Sequence, residues 1–223
     1  MKDVSVIIRN KNESRWIGHA IQSALDYFHS PELIVINNKS NDESMEIVRG
    51  FRHDPNLEPS IKQYCELKTT NIDEYTPGKA LNLGVTLSTN KYICIMSAHT
   101  VIRDFNSSYI EKKIIDFPCI FGHQKPIYRG KRITPRYLWS HFSGEDIVNM
   151  YSELENRYFL HNAFAMYHRD ILIKLPFDEQ ICGKEDRLWA ASLVKSGKNY
   201  LYTPQIKADH HYTVAGNTWK GVG

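Results

Sequence analysis

Short β-rich runs alternate with segments of helical period along the first hundred residues, and this alternation constrains the chain more than any other feature. It implies βαβ units and therefore a mainly parallel sheet. Val4-Ser-Val-Ile-Ile8 reads as a buried strand and Leu33-Ile-Val-Ile36 as a second. Tyr92-Ile-Cys-Ile-Met96 is apolar on both faces, as a strand covered by helices on both sides must be. Between them, Trp16, Ile17, Ala20, Ile21, Ala24, Leu25 and Phe28 recur at three- and four-residue spacing. Met45, Ile47, Val48 and Phe51 form another such face, preceded by Ser40 and Glu43 at capping-box spacing. Pro77-Gly78 introduces a third, carrying Ala80, Leu81, Leu83 and Leu87. A polar loop over 53–59 and a weaker strand over 62–68 complete this half.

The rhythm changes after Met96. Residues 125–157 interleave Lys125, Arg129, Lys131, Arg132 and Arg136 with Tyr128, Tyr137, Trp139 and Phe142, with little periodicity. Aromatic faces stack on sugar rings, and basic side chains suit anionic glycans or lipid phosphates. The same composition suits single-stranded RNA, or a plain solvated loop. Order returns with a strand over 162–167 and a helix over 185–196 that Gly197 closes. A last strand near 199–202 leads to Asp209-His-His211.

Composition narrows the function classes. The chain has 223 residues, which at about 100–200 per domain is one large domain. Its formal charge of +3 is too small to imply nucleic acid. The longest apolar runs fall far short of the roughly 20 residues of a membrane span, and the first residues carry no secretory h-region. Cys65, Cys94, Cys119 and Cys182 form no Cys-x-x-Cys pair and read as reduced core thiols of a cytoplasmic protein.

In open α/β sheets ligands bind at the carboxyl ends of the strands. Three polar clusters follow strands here: residues 9–13, 37–42 and 97–100. No Gly-x-Gly-x-x-Gly follows the first strand and no P-loop occurs, which disfavours a dinucleotide Rossmann domain and a P-loop ATPase. The order of the clusters is more informative than any one of them. Val4-Ser-Val-Ile-Ile-Arg-Asn-Lys-Asn-Glu13 resembles the first strand and nucleotide-binding turn of family 2 glycosyltransferases. Glu32-Leu-Ile-Val-Ile-Asn-Asn-Lys-Ser-Asn-Asp42 resembles their second strand and turn, and Gly78-Lys-Ala-Leu-Asn-Leu-Gly84 the helix before the metal strand. Ile95-Met-Ser-Ala-His99 falls where that family carries its DXD motif. Gly183-Lys-Glu-Asp-Arg-Leu-Trp-Ala190 resembles the helix bearing the catalytic base, and the stretch from Tyr202-Thr-Pro204 to His210 the closing strand.

The resemblance implies an α/β fold of GT-A type, Rossmann-like, with a mainly parallel central sheet flanked by helices. It implies a single domain over 1–223, with a nucleotide-binding half (1–100) and an acceptor-binding half (101–223). The implied activity is an inverting, nucleotide-sugar-dependent glycosyltransferase of hexosyltransferase type. It would act in the cytoplasm, at the inner face of the membrane, in surface polysaccharide or glycoconjugate synthesis. The donor would be a UDP-sugar first and a dTDP-sugar second; the acceptor would be a glycan or a lipid-linked precursor, with peripheral membrane contact. Donor contacts fall to Arg9, Asn10, Asn12, Glu13 and Asn37, with Lys79, Asn82 and Ser97. Asp186 is the implied general base, with Glu185 orienting the acceptor or tuning Asp186.

Two departures stand out. Asn37 replaces an acidic residue of the second turn, and DXD has become Ser97-Ala98-His99. Some relatives use a DXH variant whose histidine binds metal, so His99 and His210 are the implied ligands, His210 rather than His211 by its spacing from Pro204. Imidazole suits Mn²⁺, Co²⁺ or Zn²⁺ better than Mg²⁺, and Mn²⁺ is the ion expected. The leaving diphosphate could instead be neutralised by direct hydrogen bonds or by Lys79 and Arg9. A nucleotidyltransferase and a degenerate domain that binds nucleotide or glycan without turnover are the rival readings.

Overall fold

The computed structural model describes residues 1–52, 65–133, 138–214 and 216–219. The expected 53–59 loop, the start of the 62–68 strand, Arg136 and Tyr137 lie outside them. The first half runs β1 (Val4–Asn10), α1 (Ile17–Tyr27), β2 (Glu32–Asn37), α2 (Ser44–Arg49), β3 (Glu66–Asn71), α3 (Pro77–Leu87) and β4 (Tyr92–Ser97). The second half adds β5 (Thr100–Phe105), α4 (Ser107–Lys113), β6 (Cys119–Tyr128) and β7 (Lys131–Arg132). The short strands β8 (Ile147–Val148), β9 (Tyr151–Ser152) and β10 (Arg157–Tyr158) follow. The last elements are β11 (Phe164–His168), α5 (Arg169–Lys174), α6 (Glu185–Lys195) and β12 (Leu201–His211).

One sheet carries the order β3-β2-β1-β4-β11-β6-β12-β5. The first four strands are parallel, and β12 lies parallel to β6. β11 runs antiparallel to β4 and β6, and β5 antiparallel to β12, so six of these eight strands share one direction. The sheet is thus mainly parallel, as the alternation implies. Along β1 the side chains divide by strict alternation. Val4, Val6 and Ile8 pack with Ile17, Ile21 and Ala24 of α1 on one face. Ile7 meets Ala80, Leu81 and Val85 of α3 on the other, in the same layer as Trp189 and Leu193 of α6. A Cβ on Gly84 would lie 2.6 Å from the Ile7 side chain, so glycine is what allows α3 to sit this close to β1.

α3 starts as its sequence indicates: Thr76 Oγ1 caps the Lys79 amide at 3.1 Å and Pro77 takes the first turn. α2 does not. Its cap position is Glu43, with no side-chain capping bond, because the Ser40 hydroxyl is drawn to the turn after β1. Asp42 substitutes, its Oδ1 accepting the Ser44 amide at 3.1 Å. Within the described residues the third strand runs Glu66–Asn71, three residues past the expected end at 68. The last strand is eleven residues long rather than four, because a three-residue bulge between Thr203 and Lys207 absorbs Pro204, which has no N–H to give a ladder. No cysteine is in a disulfide, but Cys182 is exposed on the loop before α6 and is not a core thiol. No helix among the described residues is long and apolar enough to cross a membrane.

Candidate active site

The carboxyl ends of β1, β2 and β4 and the end of β12 meet at one edge of the sheet, bringing together most of the polar residues singled out in the sequence. The turns after β1 and β2 are bonded to each other. Asn12, in the left-handed region at φ 54°, gives its amide to Ser40 Oγ at 3.0 Å and accepts the Asn41 amide on Oδ1 at 2.9 Å. Asn37 Oδ1 accepts the Ser40 amide at 3.2 Å, and its NH₂ donates to Asn71 at 2.8 Å. Asn10 donates to Ser44 Oγ at 2.8 Å, and its buried Oδ1 has no partner among the described residues. Asp42 Oδ2 closes the loop by accepting the Ser14 amide at 2.9 Å.

The remaining residues expected around the donor are engaged in other contacts in this structure. Asn82 spends its amide on the Phe177 backbone (2.9 and 3.0 Å) and on Glu179 (2.8 Å), tying α3 to the loop before α6. The Lys79 ammonium pairs with exposed Glu74 at 3.0 Å. Ser97 is half-buried at the end of β4, its amide bonded to the Ala163 carbonyl at 3.2 Å. Glu13 turns toward the histidines, with Oε1 receiving both His99 Nδ1 at 3.0 Å and Thr213 Oγ1 at 2.8 Å.

His99 and His210 face each other with Nε2 to Nε2 at 3.1 Å. His210 Nδ1 lies 3.0 Å from Gln124 Oε1 and is fully buried. Burial first, then the neighbouring His99 and His161, hold His210 well below the usual histidine range, so its ring is neutral. Glu13 fixes the proton of His99 on Nδ1, and the Gln124 carbonyl does the same for His210. With both Nε2 atoms unprotonated, their lone pairs crowd the same space, which is repulsive. A proton on His99 Nε2 donated to His210 relieves this, as does a cation held by both nitrogens, and so does turning over the Gln124 amide, whose buried NH₂ is without a partner among the described residues. Two imidazoles about 2.1 Å from one ion and roughly 95° apart hold their nitrogens about 3.1 Å from each other. The pair therefore fits a divalent ion, with Glu13 and Gln124 orienting the ligands from behind. No three His, Cys, Asp or Glu side chains are grouped to hold a metal among the described residues.

The acidic pair opens α6. Gly183 (φ 99°) and Lys184 (φ 63°) turn the chain sharply into the helix, and Trp189 anchors it by donating to the Leu175 carbonyl at 2.7 Å. Leu188 falls on the outer side of the helix and is 44% exposed. Asp186 Oδ1 accepts from the Arg187 amide at 2.9 Å and from Arg187 Nη1 at 3.1 Å; Oδ2 accepts from the Asn162 amide at 3.1 Å. Burial pushes its pKa up, but Arg187, His161 and the two amides outweigh this, and the carboxyl sits below its ordinary value. Glu185 Oε1 pairs with Arg9 Nη1 at 2.9 Å. Burial, reinforced by the charge of Asp186, raises Glu185 despite Arg9. Neighbouring carboxylates are thus driven in opposite directions, a pattern typical of acid–base sites.

The sequence reading missed Gln124, His161, Asn162, Arg187 and Glu155. Arg187 Nε pairs with Glu155 at 2.9 Å, and its guanidinium lies 4.7 Å from the centre of the Phe159 ring. His161 is buried, with its ring 5.7 Å from that of His210, and burial pushes it down to about 4. A buried Gln in an apolar strand was the one local signal available. Of the 125–157 aromatics, Trp139 is buried against Trp219 and Phe142 stacks on Tyr202, so neither forms an exposed platform.

Comparison with known proteins gives a consistent result. The family model described as Glycosyl transferase family 2 matches residues 5–175. A curated protein of Rickettsia bellii (strain RML369-C), described as an uncharacterized glycosyltransferase, is 32% identical over 152 residues, which are 68% of this chain. The match spans only 20% of that longer protein. Among solved structures, S. aureus TarS 1-349 in complex with UDP-GlcNAc superposes with a TM-score of 0.66 at 16% identity, covering 97% of this chain and 60% of that one. GalNAc-T7 with UDP, GalNAc and Mn2+ gives 0.67 at 16% identity, covering 96% and 44%. At such identities these likenesses show a shared GT-A fold.

Proposed function

The chain belongs to glycosyl transferase family 2, and from that premise we propose that it moves a hexose from a nucleotide-sugar donor to an acceptor hydroxyl with inversion. The observation that carries this reading is the meeting of two groups at one sheet edge: the Glu185–Asp186 carboxylates with Arg9, and the Glu13–His99–His210–Gln124 chain. In a single displacement the acceptor oxygen attacks the anomeric carbon as the bond to the diphosphate breaks. Asp186 removes the acceptor proton: it is ionised, held by three donors and set at the start of a packed helix, and such fixed geometry is what general-base catalysis requires. Glu185 holds Arg9 toward the cleft, where its cation meets the charge growing on the leaving diphosphate. His99 and His210 would hold a divalent ion through Nε2, and when bound the ion supplies further charge neutralisation at the diphosphate. UDP in two fold neighbours, and Mn2+ in one, support UDP and Mn²⁺ as the first candidates. A glycan or lipid-linked acceptor is part of the same proposal.

A second reading exchanges the two carboxylates. Glu185 has the raised proton affinity, and its bond to Arg9 is made through Oε1. The test is release of free nucleotide diphosphate from a panel of nucleotide sugars, with and without Mn²⁺, together with thermal shifts against UDP, dTDP, GDP and CMP. A shift with UDP and acceptor-dependent release support the proposal. No shift with any nucleotide defeats the donor reading, and a shift without release leaves a domain that binds but does not turn over.

A further inference from the structure

Adjacent residues on a strand point to opposite faces, so His211 looks away from His210. It looks into an open pocket of about 500 Å³ between the start of α1, the β6–β7 hairpin and the end of β12. Trp16 lies flat on the His211 ring, centroids 3.7 Å apart and planes 17° from parallel. Tyr128 and Tyr212 meet edge to face at 4.9 Å. Two guanidiniums lie at this pocket: Arg15, 5.3 Å from the centre of the Trp16 ring, and Arg129, 5.2 Å from that of Tyr128. Neither has an ion-pair partner among the described residues, so their N–H edges are available. His211 is only 6% exposed, yet neither ring nitrogen has a hydrogen-bond partner among the described residues. A buried imidazole left in that state is costly, and a ligand hydroxyl would satisfy it.

The hairpin adds an independent sign. Arg129 and Gly130 both adopt positive φ, 49° and 75°, as a two-residue turn between paired Tyr128 and Lys131 requires. Arginine is a poor residue for the first of these positions. Its presence there sets the guanidinium over Tyr128 at the pocket mouth.

We infer that this pocket binds an anionic sugar unit, a ring carrying a phosphate or a carboxylate. Guanidinium forks match either anion, aromatic faces take the ring, and the imidazole pairs with a hydroxyl. Two cations at a single pocket match one charged unit, whereas a nucleic-acid track needs a row of them. The inference rests on these side chains alone and not on the glycosyl-transfer reading.

Calorimetric titration of the whole chain tests it, with glucose 1-phosphate and glucuronate as probes and glucose and inorganic phosphate as half-ligands. At least one anionic sugar should bind, about tenfold or more tighter than either half. Which one binds better identifies the anion. The exposed pair Arg15→Gln with Arg129→Gln should weaken binding about tenfold or more without moving the melting curve, while Arg9→Gln leaves it unchanged. The inference is overturned if neither anionic sugar binds, or if the double variant binds like the wild type. It is equally overturned if Arg9→Gln abolishes binding, which would place the probe in the cleft, or if oligo(U) binds more tightly. A UDP melting shift measured in parallel separates the two ideas. A shift without sugar binding sinks only the pocket, and sugar binding without a shift sinks only the donor reading.

Discussion

Replacing Asp186 by Asn tests both the chemistry and the structure around it. The carboxylate accepts on both oxygens, from Arg187 on one and the Asn162 amide on the other. An amide accepts on one only. Its NH₂ will face the Asn162 N–H, since the other choice would turn a donor against a buried guanidinium that retains only Glu155. One buried N–H then lacks a partner, at about 1–3 kcal/mol. For a chain of this size each kcal/mol moves the melting midpoint by roughly 2–4 °C, so Asp186→Asn should melt roughly 2–12 °C lower while staying folded at 25 °C. Loss of the base should cut turnover by about 10²–10⁴, far beyond anything the change in stability explains. Glu185→Gln keeps an acceptor for Arg9 and should be less harmful on both counts. The assay is acceptor-dependent release of nucleotide diphosphate by each folded variant, with UDP affinity and melting measured alongside. UDP affinity should survive both changes. Wild-type turnover in Asp186→Asn with a dead Glu185→Gln refutes the assignment and makes Glu185 the base. Activity in both that merely follows the folded fraction refutes a catalytic role for the pair.

Other outcomes follow from single contacts. Mn²⁺ added with UDP should raise the melting midpoint beyond UDP alone, and His99→Ala should abolish that increment; an undiminished increment would remove the histidine pair from metal binding. A Cβ on Gly78 would overlap the Asp178 carbonyl, so Gly78→Ala should cost about 1–3 kcal/mol by denaturant unfolding, and a neutral result would mean that the 177–179 loop yields freely. Glu32 is buried, and although burial itself raises its pKa, bonds from Lys68, Ser5 and the Thr89 amide leave it lower than 4.5. Its contribution is therefore complete above the unfolded value and is lost as pH falls through the lower folded value. Melting followed from pH 7 to 3 should show stability falling only below about pH 4.5, with a shallower acid limb in Glu32→Gln. Identical acid limbs would show that this carboxylate is not the linked group.

The first four strands and α1, α3 and α6 were legible in the sequence because their signals are local. Period-two and period-three-to-four patterns, a Pro-Gly start and a closing glycine each need only a few neighbouring residues. The acidic pair of α6 and the histidines at 99 and 210 were singled out by the family resemblance, through the order of motifs along the chain, rather than by a local pattern. Pairing was not legible. Glu13 reaches His99 across 86 residues and His99 reaches His210 across 111, distances over which no periodic pattern carries information. The three-residue bulge in β12 decides which histidine meets His99 and which turns to Trp16, because one step of register reverses every side chain beyond it. The same holds for the charges. That Asp186 falls and Glu185 rises depends on Arg187, Asn162 and Arg9 arriving from three other segments, and on their shared burial. Local sequence determined the layers and the edge where a site had to lie. The tertiary structure alone decided which atoms face each other there, because strand register and burial are properties of the packed sheet and not of any one segment.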